Sequence, residues 1–195
     1  MEHDSLDPRP LYRDATAWVD RMMSRVRADQ LGGPTPCPGF DVRALLGHLV
    51  GTAERSLATA TGRSPRRIPH VVTDIDDDVH AVRYAAAAAA AHRAWAARSR
   101  LDDPVAAPWG EVSGRDAVWG FANETLVHGW DLAVATGQPS ETAAALVEPV
   151  LARARTLVPR DTRTPRGYGP AVASGTGAGL TESLANWHGH RWPAA

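Results

Sequence analysis

Apolar side chains recur every three or four positions along much of this chain, which is the spacing of one face of an α-helix. In the first such stretch, Trp18, Met22 and Val26 follow this spacing. The pattern predicts a first helix over Leu11–Leu31, and the Gly-Gly-Pro sequence at 32–34 indicates that the helix ends there.

Capping residues and turn residues divide the rest of the chain into further helical segments. Asp41 and Ser113 have side chains that accept hydrogen bonds at helix N-termini, and the alanine run at 85–91 has the strongest helix propensity in the chain. The predicted segments are a second helix from Asp41 to about Thr61, a third from the acidic stretch Asp74–Asp78 to near Arg100, a fourth from Ser113 to about Thr136, a fifth from Ser140 to Leu157, and a short last helix over Thr181–Trp187.

No stretch alternates apolar and polar residues convincingly, so no strand is predicted, and Leu101–Glu111 is interpreted as a loop. The region after Pro159 is rich in Gly, Pro and Thr, which is typical of irregular structure. We therefore expect a single all-α domain over 1–195. Its bundle core would span about 9–158, and an irregular C-terminal extension with one extra helix would span 159–195.

The composition argues against several classes of function. A formal net charge of −1 and a pI near 6.7 leave no excess positive charge for nucleic acid or an anionic membrane. All basic residues are arginine, which indicates a GC-rich genome. The single cysteine, Cys37, cannot form an internal disulfide, and the N-terminus has no apolar signal segment, so we expect a reducing cytoplasm. The alanine-rich stretch Tyr84–Ala97 is too weakly apolar to span a bilayer.

One pair of polar residues has a spacing that suits a metal ion. Glu124 and His128 are four positions apart in the predicted fourth helix, so they lie one turn apart on one face. At about 100° per residue, His128 lies about 40° from Glu124, and Asp131 lies about 20° to the other side. The spacing fits either an ion-binding site or a solvated surface stripe with no chemistry.

A catalytic zinc site takes three protein ligands, so a third ligand would have to come from another helix. His48 lies in the middle of the predicted second helix, where it is either a hydrogen-bonded core residue or a ligand. Arg55 follows on the same face, about 10 Å along the axis. It either holds a substrate carboxylate or is an exposed or ion-paired arginine. Cys37 lies between two prolines and is interpreted as part of a structural turn.

Three motifs of this chain resemble those of a known family. They are Thr35–Gly51, Pro108–Val112 and Glu124–Ala133. Their order and spacing are similar to those in the metal-binding domain of the mycothiol-dependent maleylpyruvate isomerase family, which belongs to the DinB-like superfamily. The resemblance implies an up-down-up-down four-helix bundle with a metal site in its core.

The resemblance also implies which residues form the site. The ligands would be His48, Glu124 and His128, and the expected ion is zinc or another divalent metal. Mycothiol is the expected thiol cosubstrate. Asp131 would either orient a ligand histidine or contact the polar groups of the thiol, and a plain solvent-facing or capping role for this carboxylate stays open.

The implied function is a zinc-dependent enzyme that activates a low-molecular-weight thiol for addition or transfer to an electrophilic small molecule, including isomerisation. The isomerase itself has a further C-terminal α/β domain, for which the residues after Pro159 are too few. A thiol transferase, or a related zinc-dependent lyase or isomerase of unknown substrate, is therefore expected. Two alternatives remain. One is a non-catalytic bundle that binds a metal or a small ligand, and the other is a thiol-independent metal-dependent hydrolase.

Overall fold

The computed structural model describes residues 6–158 and 169–193, and within them the protein is a helical bundle with one small β-hairpin. This confirms the predicted all-α class with its extra C-terminal helix. The elements are α1 Arg9–Met23, α2 Val42–Ala60, α3 His80–Trp95, β1 Pro104–Ala107, β2 Gly110–Ser113, α4 Gly114–Thr136, α5 Ala144–Leu157 and α6 Leu180–Trp187. None of the helices in this described part is long and apolar enough to cross a membrane.

The four long helices α1 to α4 enclose a shared core. α2 packs against α3 and α4, and α1 packs against α4 and α3. Trp95 of α3 and Phe121 of α4 are almost completely buried there, as are Leu45 and Leu49 of α2. Burying one such side chain stabilises the fold by about 1.5–3 kcal/mol, so the apolar faces read from the sequence hold the bundle together.

Three predicted helix boundaries are confirmed by their hydrogen bonds. The Asp41 carboxylate accepts the Ala44 N–H at 2.8 Å at the start of α2. The Ser113 hydroxyl accepts the Asp116 N–H at 3.1 Å at the start of α4. Gly137 ends α4 with φ at +67°, a left-handed conformation that glycine adopts without strain.

The predicted first helix is too long by eight residues, since α1 ends at Met23. A short 3₁₀ turn follows at 28–30. The next carbonyl groups are used by α2, because the Arg43 N–H donates to the Leu31 carbonyl at 2.9 Å and the Val42 N–H to the Gly33 carbonyl at 3.0 Å. The apolar residues around 31–33 are therefore positioned by contact with α2, and they do not continue the periodic face of α1.

Two other predicted helices are also shorter than expected. α3 begins at His80 and ends at Trp95, so neither the acidic stretch nor the segment up to Arg100 belongs to it. α5 begins at Ala144 rather than at Ser140. The Glu141 carboxylate accepts the N–H groups of residues 181 and 182 at 2.9 and 3.0 Å. The expected start of α5 thus serves as a cap for the last helix.

The predicted loop over 101–111 contains most of the β-hairpin, which is a correction to the expectation of no strands. Val105 pairs with Val112, and Gly110 turns the chain with φ at +135°. Strands of four residues are too short to produce a clear alternating pattern, and the pairing rather than periodicity defines them. The hairpin leads directly into α4.

The described part of the C-terminal extension carries α6, which packs against α5 and α4. Residues 169–179 form neither helix nor strand, in agreement with the predicted irregular segment, while 159–168 of that segment lie outside the described residues. After α6 the chain runs back against α4 and brings His188 and His190 to it. The limits of a single domain with a core at about 9–158 stay a prediction.

Candidate metal centre

The three ligands expected from the resemblance come together in the bundle core. His48 on α2 and Glu124 and His128 on α4 each offer a ligand atom, and these atoms all lie within 4.8 Å of one another. The two imidazole rings are 4.5 Å apart between centroids and inclined at 74°. Zinc bonds of about 2.0–2.2 Å place the ligands of one ion within roughly 4 Å of each other, so the cluster is close to that size.

His48 is held with one defined ring nitrogen toward the cluster. Its Nδ1 lies 2.9 Å from the His70 carbonyl oxygen, and since a carbonyl can only accept, Nδ1 carries the proton. Nε2 therefore has the free lone pair, with only a long 3.5 Å contact from the Thr52 hydroxyl. Burial lowers the pKa of His48 to about 3, so the ring is neutral at pH 7 and suited to bind a metal.

Two glycines of α2 allow the backbone of residues 69–72, the supporting segment, to lie directly on this helix. A Cβ atom at Gly47 would overlap the Val72 carbonyl oxygen, and the Val72 N–H donates to the Gly47 carbonyl at 3.2 Å. Gly51 makes a similar close approach to the Pro69 carbonyl. The backbone at 69–72 is thereby fixed where its carbonyl at residue 70 orients His48.

Arg55 belongs to the same support. Its guanidinium donates to the Pro69 carbonyl at 2.7 Å and to the Thr52 hydroxyl at 2.9 Å. Burial lowers the pKa of Arg55 from its usual value. The side chain thus ties the supporting segment to α2, and its expected role in holding a substrate carboxylate stays a prediction.

His128 is oriented by Asp131, which has no exposed surface. The His128 Nδ1–H donates to Asp131 Oδ2 at 2.9 Å, which turns Nε2 toward Glu124, 3.6 Å from its Oε2. A carboxylate behind a ligand histidine is the usual way in which proteins fix the tautomer and the ring of a metal ligand. This contact is the one that the first of the roles expected for Asp131 requires, and the role itself stays a prediction.

A residue that the sequence reasoning missed completes this arrangement. His190 lies in the C-terminal tail, and its Nδ1 is 2.9 and 2.8 Å from the two carboxylate oxygens of Asp131. The same tail places His188 Nε2 at 2.9 Å from Asn123 Oδ1 on α4. The tail histidines were visible as a His-Gly-His sequence at 188–190, but no local spacing connects them with α4.

The charges of the site favour a cation between the two carboxylates. Burial alone would raise the pKa of Glu124, but its contact with His128 lowers it to about 2. The pKa of Asp131 is also lowered, by hydrogen bonds from His128 and His190 that outweigh burial. Burial opposes the charged form of His128, yet its hydrogen bond to Asp131 and its polar contacts with Cys37 and Glu124 hold its pKa well above the usual value. These groups therefore favour a positive charge at the centre, which either an imidazolium or a metal ion can supply.

Cys37 lies closer to this centre than its interpretation as a turn residue suggested. Its sulfur falls within 4.8 Å of ligand atoms of His128 and Asp131. The turn itself is present, since the Thr35 hydroxyl accepts the Cys37 N–H at 3.2 Å and donates to the Phe40 carbonyl at 2.9 Å. The motif at 35–40 thus brings a thiol to the edge of the candidate site.

The centre opens on one side to a cleft of about 640 Å³. The Glu124 side chain is 29% exposed and lines this cleft, whereas the His128 side chain is 11% exposed and His48 is buried. The cleft lies between α4, α5, the hairpin and the tail. A small molecule in it would meet the centre at Glu124.

The sequence profile described as "Mycothiol maleylpyruvate isomerase N-terminal domain" matches residues 12–133. Two similar relatives are uncharacterised proteins of Mycobacterium tuberculosis, from strains CDC 1551 / Oshkosh and ATCC 25618 / H37Rv. Each is 36% identical over 162 residues, which are 82% of this chain and 84% of the relative.

Two similar solved structures are crystal structures of mycothiol-dependent maleylpyruvate isomerase and of a histidine-to-alanine mutant of it. The first has a TM-score of 0.63 at 17% identity and the second a TM-score of 0.66 at 16% identity. Both alignments cover 87% of this chain and 76% of the other. The likeness in structure confirms the predicted DinB-like fold.

Proposed function

This chain belongs to the mycothiol maleylpyruvate isomerase N-terminal domain family, and we propose that it is a metal-dependent enzyme that uses a low-molecular-weight thiol on an electrophilic small molecule. The observation that carries the proposal is the orientation of His48 and His128. Each ring engages its Nδ1 in a hydrogen bond, so that both Nε2 atoms lie beside Glu124 in one cluster.

The donor set fits a divalent transition metal. Two imidazole nitrogens and one carboxylate oxygen are a known ligand set of catalytic zinc, in which a fourth position is open. His48 is neutral at pH 7, and the lowered pKa values of the half-buried Glu124 and the buried Asp131 keep both carboxylates ionised, which favours a cation. Zinc as the ion is the expectation from the family resemblance.

When bound, such an ion lowers the pKa of a thiol at its open position and so supplies a thiolate at neutral pH. The residues of the chain orient the ligands and limit the access of water. The carbonyl at 70 and the Asp131 carboxylate hold the two imidazole rings, and His190 holds Asp131. The bundle core shields His48 from water and leaves the side of Glu124 open to the cleft.

Mycothiol is the proposed thiol because the solved relative is named as mycothiol-dependent. In a transfer reaction, the sulfur would add to one carbon of a carbon–carbon double bond and stay there, while the π bond breaks and the thiol proton ends on the other carbon. In an isomerisation, it would add to a carbon–carbon double bond, allow rotation about the resulting single bond, and leave again. Whether this chain catalyses transfer or isomerisation depends on the electrophile, and the cytoplasmic setting stays a prediction.

Metal content tests the proposal directly. We expect protein purified without chelators to contain about one equivalent of zinc by inductively coupled plasma mass spectrometry, and His48→Ala and His128→Ala to lose it. His92→Ala is the matched control, since His92 contacts Thr16 at 2.8 Å on another face of the bundle. Wild-type protein without stoichiometric metal, and unchanged metal content in His128→Ala, would contradict the proposal.

Thiol dependence is tested with the loaded protein. Consumption of mycothiol in the presence of an unsaturated ketone or another electrophile should require both the wild-type residues and the metal. Hydrolysis of an ester or amide without any added thiol would favour the hydrolase alternative. A loaded protein that binds small molecules and turns over neither type of substrate would favour the non-catalytic bundle.

A further inference from the structure

The cleft beside Glu124 has mainly apolar walls. Its volume of about 640 Å³ lies within the range of about 300–1,000 Å³ that small-molecule sites occupy. The larger apolar side chains that line it are those of Trp109, Val112, Trp119, Val150, Leu157 and Val158. An apolar ligand that binds against these walls is stabilised because apolar surface is removed from water. The walls provide few hydrogen bonds to a ligand.

Trp109 forms the wall next to the candidate metal centre. Its indole lies directly on Gly120, where a Cβ atom would overlap the ring. Gly120 precedes Glu124 by four residues and so lies one turn away on the same face of α4. The ring of Phe121, 5.1 Å away between centroids, packs against the indole. Trp109 is 48% exposed, which leaves aromatic surface for a ligand beside the centre.

Apart from Glu124 and the buried Trp119 indole N–H, which has no hydrogen-bond partner among the described residues, the polar side chains of the cleft are already paired. Asp116 forms an ion pair with Arg153 and accepts the Ser113 hydroxyl at 2.9 Å. Asn123 contacts His188 at 2.9 Å. A polar ligand would have to break these pairs to gain hydrogen bonds of its own, and each pair that it breaks leaves a polar group without its partner.

The charge of the cleft gives no advantage to an anion. Two carboxylates, Asp116 and Glu124, line it together with one guanidinium, that of Arg153, and the ring of His188. A divalent ion at the centre would be balanced by Glu124 and one thiolate, so it would leave no net positive charge for a substrate. A dicarboxylate would therefore lose its hydration without an opposite charge in return.

We propose that this cleft binds an uncharged electrophile with an aromatic or similarly flat apolar body, and that it disfavours carboxylates. The identification as an electrophile rests on the proposed function, whereas the binding preference does not. For an unsaturated ketone, the sulfur–carbon bond forms at the β-carbon, the electrons of the double bond move to the α-carbon, and the thiol proton ends there. The net reaction is addition of the thiol across the double bond, with no other reactant.

Two unreactive probes of nearly equal shape test the preference. 4-Phenylbutan-2-one and 3-phenylpropanoate differ only in a methyl group and a carboxylate oxygen, and succinate represents a dianion. Binding to the protein as purified is measured by isothermal titration calorimetry and by NMR, with no thiol present. We expect the ketone to bind at least tenfold more tightly than 3-phenylpropanoate and succinate not to bind.

A pair of variants on α5 locates the binding. Ala154 lines the cleft and Ala152 does not, so Ala154→Leu fills the cleft and Ala152→Leu is the matched control. We expect Ala154→Leu to weaken ketone binding at least fivefold and Ala152→Leu to change it less than twofold. Trp109→Ala, which removes the aromatic wall, should also weaken it.

Three results would overturn the inference: equal or tighter binding of either carboxylate, equal effects of the two alanine variants, or displacement of the ketone by unreactive S-methyl mycothiol, which would assign the cleft to the thiol. Because no thiol or turnover enters the binding experiment, failure of the proposed function would appear separately, as missing metal or missing thiol consumption. Ketone binding that meets the expectations would then still support an apolar ligand site.

Discussion

His190 and Asp131 are joined by a hydrogen bond in the core of the candidate site, with His190 Nδ1 2.8 Å from Asp131 Oδ2, although 59 positions separate them in the chain. The same carboxylate accepts the Nδ1–H of His128 at 2.9 Å. The C-terminal tail is therefore part of the support of a proposed metal ligand. A substitution in the tail should therefore change the affinity of the site for the metal.

Replacing His190 by Ala should weaken zinc binding about tenfold, the lower end of the range of about 10–100-fold for residues that support metal ligands. Asp131 would keep its contact with His128 but lose its second donor, so the carboxylate and the ring would be less firmly held. Zinc dissociation constants from competition with a chromophoric chelator measure the effect.

Two further variants make this measurement specific. His190→Asn keeps a nitrogen donor close to the position of Nδ1 and should restore most of the affinity. Arg191→Ala changes the exposed neighbour and should have no effect. If His190→Ala binds zinc as tightly as the wild type, the tail does not support the ligand. If His190→Asn is as weak as His190→Ala, the hydrogen bond is not the cause.

The stability of the metal-free protein should fall as the pH is lowered from 6.5 to 4.5, and His48 should be one cause. Its folded pKa of about 3 lies below the unfolded value of 6.5, so the unfolded chain binds more protons in this range. The contribution is complete above pH 6.5 and is lost toward pH 3. At up to about 1.4 kcal/mol per pH unit, His48 accounts for about 2 kcal/mol over this window.

The other two proposed ligands do not produce this slope, whereas burial also lowers the pKa of the neighbouring His70, which adds a slope of the same sign to wild type and variant alike. The raised pKa of His128 gives a contribution that is present below pH 6.5 and is lost only as the pH rises through the raised value. The lowered pKa of Glu124 matters only below about pH 4.5. Urea unfolding in the presence of a chelator should therefore show a smaller slope for His48→Gln than for the wild type. Equal slopes would contradict the burial of a neutral His48.

The contact between α1 and α4 depends on the absence of a side chain at Gly129. A Cβ atom there would overlap the Trp18 ring and approach Val19 too closely. Gly129→Ala should lower the free energy of unfolding by about 1–3 kcal/mol, the usual effect of overpacking a core. Gly32→Ala is the control, since no atom lies within 4 Å of a Cβ at that position. Denaturant unfolding of both variants measures the difference, and equal stabilities would show that α1 can shift freely.

Local chemistry made part of this structure predictable from the sequence. The caps at Asp41 and Ser113 depend on residues three positions apart, and the Glu124–His128 pair depends on one helical turn. These features could be read without knowing the fold. The role of His48 could not, because its position in the sequence alone favoured a hydrogen-bonded core residue over a ligand, and only the family resemblance pointed to the ligand.

The parts that escaped prediction depend on long-range contacts. The end of α1 at Met23 follows from hydrogen bonds between the 31–33 segment and α2. The orientation of His48 depends on a backbone carbonyl at residue 70, and any amino acid has such a carbonyl. His190 reaches Asp131 only because α6 folds the tail back against α4. The spacing of residues along the sequence does not reveal these long-range contacts.

The two roles considered for Arg55 predict different effects on stability, zinc affinity and KM. If its main role is to tie the supporting segment to α2, then Arg55→Gln should leave the Pro69 carbonyl without its strongest donor and lower stability by about 1–3 kcal/mol. Zinc affinity should fall with it, since the same segment orients His48. If Arg55 instead holds a substrate carboxylate, the variant should keep its zinc affinity and raise only the KM of a carboxylate substrate. Arg66→Gln, an exposed change in the neighbouring loop, should alter neither quantity. We expect the first pattern, measured by urea unfolding and chelator competition, and unchanged stability and zinc affinity in Arg55→Gln would contradict it.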